Sequence, residues 1–127
     1  MQDIKTIMTA DESGAELVDF AKQTAQRLVN DRLARTQIRN IFTEVRKIEA
    51  MWPRQQEDAI RRLNMLKPKL SYQRARAREV KYLEKVLTEA IDYVDRAPSE
   101  EKDGRFQRFV DLFEAILAYH RAEGGRN

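Results

Sequence analysis

The apolar residues of this chain recur at helical spacing, and the residues that break helices are few. Glycine occurs only at Gly14, Gly104, Gly124 and Gly125, and proline only at Pro53, Pro68 and Pro98. Strand-like alternation of apolar and polar residues never persists beyond a few positions. A chain punctuated this sparsely, with its apolar residues three and four apart, folds by packing amphipathic helices together. At 127 residues it fits one domain with a single modest core. The expected fold is therefore all-α, a compact bundle of about five helices over residues 14–125, preceded by an N-terminus, residues 1–13, that frays or is disordered.

The stripes place the helices. A first helix is predicted from about Ala15 to Leu33, with Leu17, Phe20, Ala21, Thr24 and Leu28 on one side. Thr36 is placed to cap a second helix reaching about Met51, whose stripe is Ile38, Ile41, Phe42, Val45, Ile48 and Trp52. A third runs from about Gln55 to Leu66. Pro68 pushes Lys67 out of helical geometry and suits the first turn of a fourth helix, Lys69 to about Asp95. That helix is either continuous or broken near Ala75–Arg78, because its stripe becomes regular only from Val80. Residues 98–104 form a polar linker. The last helix, about Arg105 to Ala122, carries Phe106, Phe109, Val110, Phe113, Ile116, Leu117 and His120, with Gly124 as its C-terminal cap.

The residue inventory narrows the chemistry. There is no cysteine and one histidine, so disulfides and thiolate chemistry are excluded. His120 ends an apolar stripe and reads as a core-edge residue. No glycine-rich phosphate loop or paired-histidine metal motif occurs, and no carboxylates converge with a second polar group. The expectation is a protein that is not an enzyme and has no cofactor and no metal site. No apolar run is long enough to span a bilayer, and the opening residues lack the order of a signal peptide, which points to the cytoplasm and no membrane partner.

The charge is small in sum and uneven in place. The net value is +3, but residues 1–26, 27–62, 63–85 and 86–127 carry −3, +4, +5 and −3. Leu66 to Arg78 holds five positive side chains and no negative one. A basic middle between acidic ends is the footprint of a polyanion-binding surface. On a helix turning about 100° per residue, Arg74, Arg78, Lys81 and Lys85 fall within about 60° of one another, in a row about 16 Å long opposite the apolar stripe. Arg35, Arg39 and Arg46 form a second set, on α-helical spacing beside the stripe of the second helix. Arg76 and Tyr72 fall on the apolar side of the fourth helix, so they point inward or mark a break in it. The phenylalanines at 20, 42, 106, 109 and 113 and Trp52 occupy core stripes. That leaves charge without a platform for stacking bases, suited to following a phosphate backbone.

Three segments carry a further pattern. They are Gln37-Ile38-Arg39-Asn40-Ile41-Phe42 with Glu44-Val45-Arg46-Lys47-Ile48, then Leu66-Lys67-Pro68-Lys69-Leu70-Ser71-Tyr72 with Arg76, and Arg108 to His120. In this order and spacing they resemble the small helical subunit of the type III-A CRISPR effector, the Csm complex, over about residues 15–125. The resemblance implies a non-catalytic structural subunit of an antiviral ribonucleoprotein, one of several copies beside the backbone subunits that carry the CRISPR RNA. It further implies contact with guide and target RNA through the sugar-phosphate backbone. Its matching basic positions are Arg39, Lys67, Lys69 and Arg76, with Arg46 a weaker match. Ser71 stands where the family has a small apolar residue, and Arg74 adds a charge where the family has small residues. The RNA-binding set expected from charge and resemblance together is Arg39, Arg46, Lys67, Lys69, Arg74, Arg76, Arg78 and Lys81. Expected partners are CRISPR RNA, target RNA, other Csm subunits (above all the guide-RNA backbone subunit) and neighbouring copies of itself. A helical adaptor that assembles with itself or with an acidic partner, without RNA, is the alternative.

Overall fold

The computed structural model describes residues 4–127. In chain order the elements are α1 (Ile4–Thr9), α2 (Ala15–Asn30), α3 (Arg35–Met51), α4 (Gln56–Arg76), a single 3-10 turn (Arg78–Val80), α5 (Lys81–Asp95) and α6 (Ser99–Ala122). The described residues contain no strand. The helices form one bundle in which α6 packs against α1, α2, α3 and α5, while α4 closes the far side against α3 and α5.

The aromatic stripes meet where the bundle is thickest. Trp52 stacks on Phe106 with ring centroids 4.0 Å apart, and Phe42 meets Phe113 edge-on at 5.1 Å. All six aromatic side chains assigned to core stripes are buried, as is each apolar residue named for the second helix. His120 is buried, and its Nε2 lies 2.8 Å from the Leu33 carbonyl oxygen, a satisfied core histidine.

Helix ends follow local chemistry. α3 begins at Arg35, so Thr36 lies inside the helix and does not cap it; the Gln37 side chain instead accepts from the Ala34 N–H at 2.7 Å. α6 ends with Gly124 at φ 92°, where the Gly125 N–H reaches the His120 carbonyl and the Gly124 N–H reaches that of Arg121. This paired closure satisfies the last carbonyls of the helix. α2 ends in the same way, but with Arg32 at φ 68° in the left-handed position.

Three further expectations change, and one open alternative is settled. The stretch expected to fray carries α1, with Ile4, Ile7 and Met8 buried; residues 1–3 lie outside the described residues. Six residues are too short for periodicity to register, and packing on α5 and α6 holds them, with Arg108 donating to the Ile7 carbonyl at 3.0 Å. Pro68 does not start a helix but sits inside α4. Leu63, Leu66 and Leu70 are buried on both sides of it, and α5 ties the preceding turns through Asp92 to Lys67 and Asp95 to Asn64, 3.0 Å. Tertiary packing thereby carries a helix across a residue that lacks an N–H and crowds the carbonyl four positions back. The open question near Ala75–Arg78 resolves as a break: Ala77 is extended, at φ −145° and ψ 104°. Finally, the polar linker is helical from Ser99, because Glu100 and Glu101 suit a helix N-terminus and Asp103 accepts from both Trp52 Nε1 and Gln56 Nε2 at 2.8 Å.

Candidate nucleic-acid interface

The break at Ala77 decides how the basic residues are arranged. Arg74 and Arg76 belong to the last turn of α4, Arg78 to the 3-10 turn and Lys81 to the first turn of α5. The outward row drawn through Arg74, Arg78, Lys81 and Lys85 therefore does not exist as one helix face. The same break decides between the alternatives for Arg76 and Tyr72. They take the phase of α4, whose buried residues are Ala59, Leu63, Leu66 and Leu70, and both are exposed, Tyr72 by 64 %. Arg76 places its guanidinium 5.7 Å from the centre of the Tyr72 ring.

The eight basic positions divide by whether a carboxylate already holds them. Lys67 pairs with Asp92, both half-buried. Arg74 pairs with Glu84 at 2.6 Å, and the Ser71 hydroxyl donates to the other oxygen of that carboxylate at 2.5 Å. Burial pushes the Glu84 carboxyl up, but the hydrogen bonds from Ser71 and Arg74 outweigh it and leave the group below its ordinary range. Arg46 pairs with Glu49 at 2.7 Å and with Glu114, and lies 4.6 Å from the centre of the Phe42 ring. Its hydrogen bonds to Glu49 and Glu114 raise it further above an already high value. Lys69 is held more loosely, 3.6 Å from a Glu44 carboxylate that Arg62 and Lys47 share. Arg39, Arg76, Arg78 and Lys81 are exposed and have no carboxylate partner among the described residues.

Two grooves flank α3 and gather four of these eight groups. The larger, between α3 and α4, has a volume of about 670 Å³ and is lined by Lys69, Arg76, Tyr72, Met65, Asn40 and Gln73, with Gln37 at its edge and no carboxylate in the lining. Gln37 donates to Glu79 at 3.1 Å. The Glu79 carboxyl sits below its ordinary range, through its own backbone N–H first and then the Gln37 amide. The second groove, about 340 Å³ between α3 and α6, is lined by Arg35, Arg39, Arg46 and Arg121 over an apolar floor that includes Phe42 and Leu117. Arg35 Nε is buried without a hydrogen-bond partner. Arg39 and Asn40, consecutive on α3, face different grooves, so the cations run as a band across this helix.

Sequence reasoning missed Arg121 and the amides of Asn40 and Gln73. For Tyr72, left either inward or at a break, the break is the alternative that holds, and the spacing from Leu70 held the signal: two residues on is about 200° around a helix, away from the buried side. Among the described residues no cluster of three histidine, cysteine or acidic side chains could hold a metal, and no helix is long and apolar enough to cross a membrane.

Comparison with curated proteins and with solved structures returns no match. The family model for Csm2 Type III-A matches residues 11–126, which takes in α2 to α6 and both grooves beside α3. The chain belongs to the Csm2 Type III-A family, structural rather than catalytic subunits, and is a small subunit of a type III-A CRISPR effector, the Csm complex.

Proposed function

We propose that this subunit binds the guide and target RNA of its complex through the phosphate backbone, has no catalytic activity of its own, and supports antiviral interference in the cytoplasm. Its neighbours in this reading are the subunit that carries the guide RNA and further copies of itself. The observation that carries it is the set of cations left without carboxylates. Arg76, Arg78 and Lys81 stand around the α4–α5 break and Arg39 on the facing helix, all exposed. Arg76 and Arg39 line the two grooves that flank α3, and with the exposed Arg78 and Lys81 they favour a polyanion that supplies negative charge.

The reading separates two groups of substitutions. Replacing Arg39, Arg76, Arg78 and Lys81 together with alanine lowers affinity for single-stranded RNA and makes the log affinity less dependent on log salt. The slope falls by about 0.7 for each phosphate no longer neutralised, about 2.8 for all four. Replacing Lys67 alone costs stability more than affinity, because its charge is already spent on Asp92. An unchanged salt slope in the fourfold variant shows that these residues are not at phosphates. Association with other subunits that survives complete ribonuclease treatment, in a sample free of nucleic acid, favours the adaptor.

A further inference from the structure

Among the described residues three large apolar side chains are substantially exposed, Val18, Met65 and Tyr72. Two of the three, Met65 at 52 % and Tyr72 at 64 %, line the same groove between α3 and α4. A lone exposed apolar residue needs no explanation, but two at one concave surface do. The groove is otherwise polar in a particular way. Lys69 and Arg76 bring positive charge, while the side-chain amides of Asn40 and Gln73 have no partner among the described residues. Glu44 and Glu79, which approach its rim, are engaged by Arg62 and Lys69 and by Gln37.

We propose that this groove takes an unstacked nucleobase of single-stranded RNA, laid on the Tyr72 ring, with the adjoining phosphate at Lys69. The inference rests on the RNA reading above and narrows it, since backbone binding alone needs no aromatic ring. The fit is chemical. An exposed ring offers its face to any base, and stacking of this kind is tolerant of sequence. The Arg76 guanidinium, 5.7 Å from the ring centre, is near the outer limit of a cation–π interaction and leaves most of the ring surface open. Free amides carry both a donor and an acceptor, the pairing that base edges present. A regular duplex keeps its base faces stacked and has none to give this ring, so the occupant is a single-stranded or splayed nucleotide. An apolar segment of a neighbouring subunit would meet Met65 and Tyr72 equally well, but it would leave Arg76 and both amides unanswered.

The experiment compares the isolated chain's affinity for a short single-stranded RNA and for an abasic oligomer of equal length and charge. The wild-type chain binds the base-bearing strand at least about fivefold more tightly, the lower end of what one stacked base contributes. Tyr72→Ala abolishes that ratio, Tyr72→Phe retains it, and Lys69→Ala weakens both oligomers alike. Circular dichroism melting of Tyr72→Ala matches the wild type, because the ring is exposed. Equal binding of the two oligomers by the wild type, with the Lys69→Ala effect intact, overturns stacking and leaves the phosphate reading standing. Failure to bind either oligomer overturns both. A Tyr72→Ala chain that keeps the wild-type ratio but loses association with another subunit assigns the groove to protein and overturns the proposal.

Discussion

Glu84→Gln tests how the bundle is held across its break. Glu84 lies on α5, and its two carboxylate oxygens reach back to Arg74 and Ser71 on α4, at 2.6 and 2.5 Å. With Ala77 extended between the two helices, this carboxylate is the polar tie nearest the break, beside those of Asp92 to Lys67 and Asp95 to Asn64 farther along the pair. Its side chain is 17 % exposed and that of Arg74 is 44 % exposed. A hydrogen bond to a charged group contributes about 1.5–3 kcal/mol when sheltered, and the solvated arginine side reduces that toward the value of a surface pair. The expected loss is about 1–2 kcal/mol at neutral pH, or roughly 3–8 °C in melting temperature for a chain of this size. Because the folded state lowers the Glu84 pKa, the tie stabilises above the ordinary carboxylate range and is lost as pH falls through the lowered value. Urea titrations at pH 7 and at successively lower pH therefore give curves whose separation narrows as pH falls through the lowered value. The substitution also frees Arg74, so affinity for single-stranded RNA does not fall and its salt dependence steepens by about 0.7. Equal midpoints at neutral pH, or an undiminished gap in acid, refute the tie.

Two further predictions concern helix ends. A Cβ on Gly125 would overlap the His120 ring at Cε1 and Nδ1, so Gly125→Ala forces the tail off the ring; the expected cost is about 1–3 kcal/mol, seen in melting and as faster hydrogen exchange at Gly124 and Gly125. A melting temperature equal to wild type would show that the tail re-packs without loss. Arg32, at φ 68°, occupies a position that L-residues enter at a cost of about 1 kcal/mol, so Arg32→Gly stabilises by about 0.5–1 kcal/mol in urea titration, and a destabilised variant would mean that the arginine side chain matters more than the backbone strain.

Much of the architecture can be read from spacing alone. The stripes of α3 and α6 place the core, and the scarcity of glycine and proline sets the class. The two places where spacing misleads share a cause. Pro68 is punctuation by local rules, yet buried leucines on both sides and the ties from Asp92 to Lys67 and from Asp95 to Asn64 carry the helix past it. Ala77 is unremarkable as a residue, yet it ends the helix, and the phase of every basic side chain beyond it changes. Charge reads similarly. The sequence counts cations correctly, but which of them are neutralised depends on carboxylates brought from elsewhere: Asp92 to Lys67, Glu84 to Arg74, Glu114 to Arg46. Those pairings belong to the packing and leave no local trace, so a basic stretch marks the neighbourhood of an interface without marking its open charges.

The central position of α6 has a consequence for synthesis. Helices α1, α2, α3 and α5 each bury part of their apolar face against it, and among the described elements it comes last in chain order. At roughly 5–20 residues per second, about 4–15 seconds separate the appearance of α2 from that of α6. During that interval Phe20, Leu28 and Phe42 lack the partners that cover them. The growing chain therefore carries an open apolar surface until α6 clears the ribosome. A substitution that weakens α6 lengthens this exposure, so its effect on yield in the cell exceeds its effect on the stability of the finished bundle.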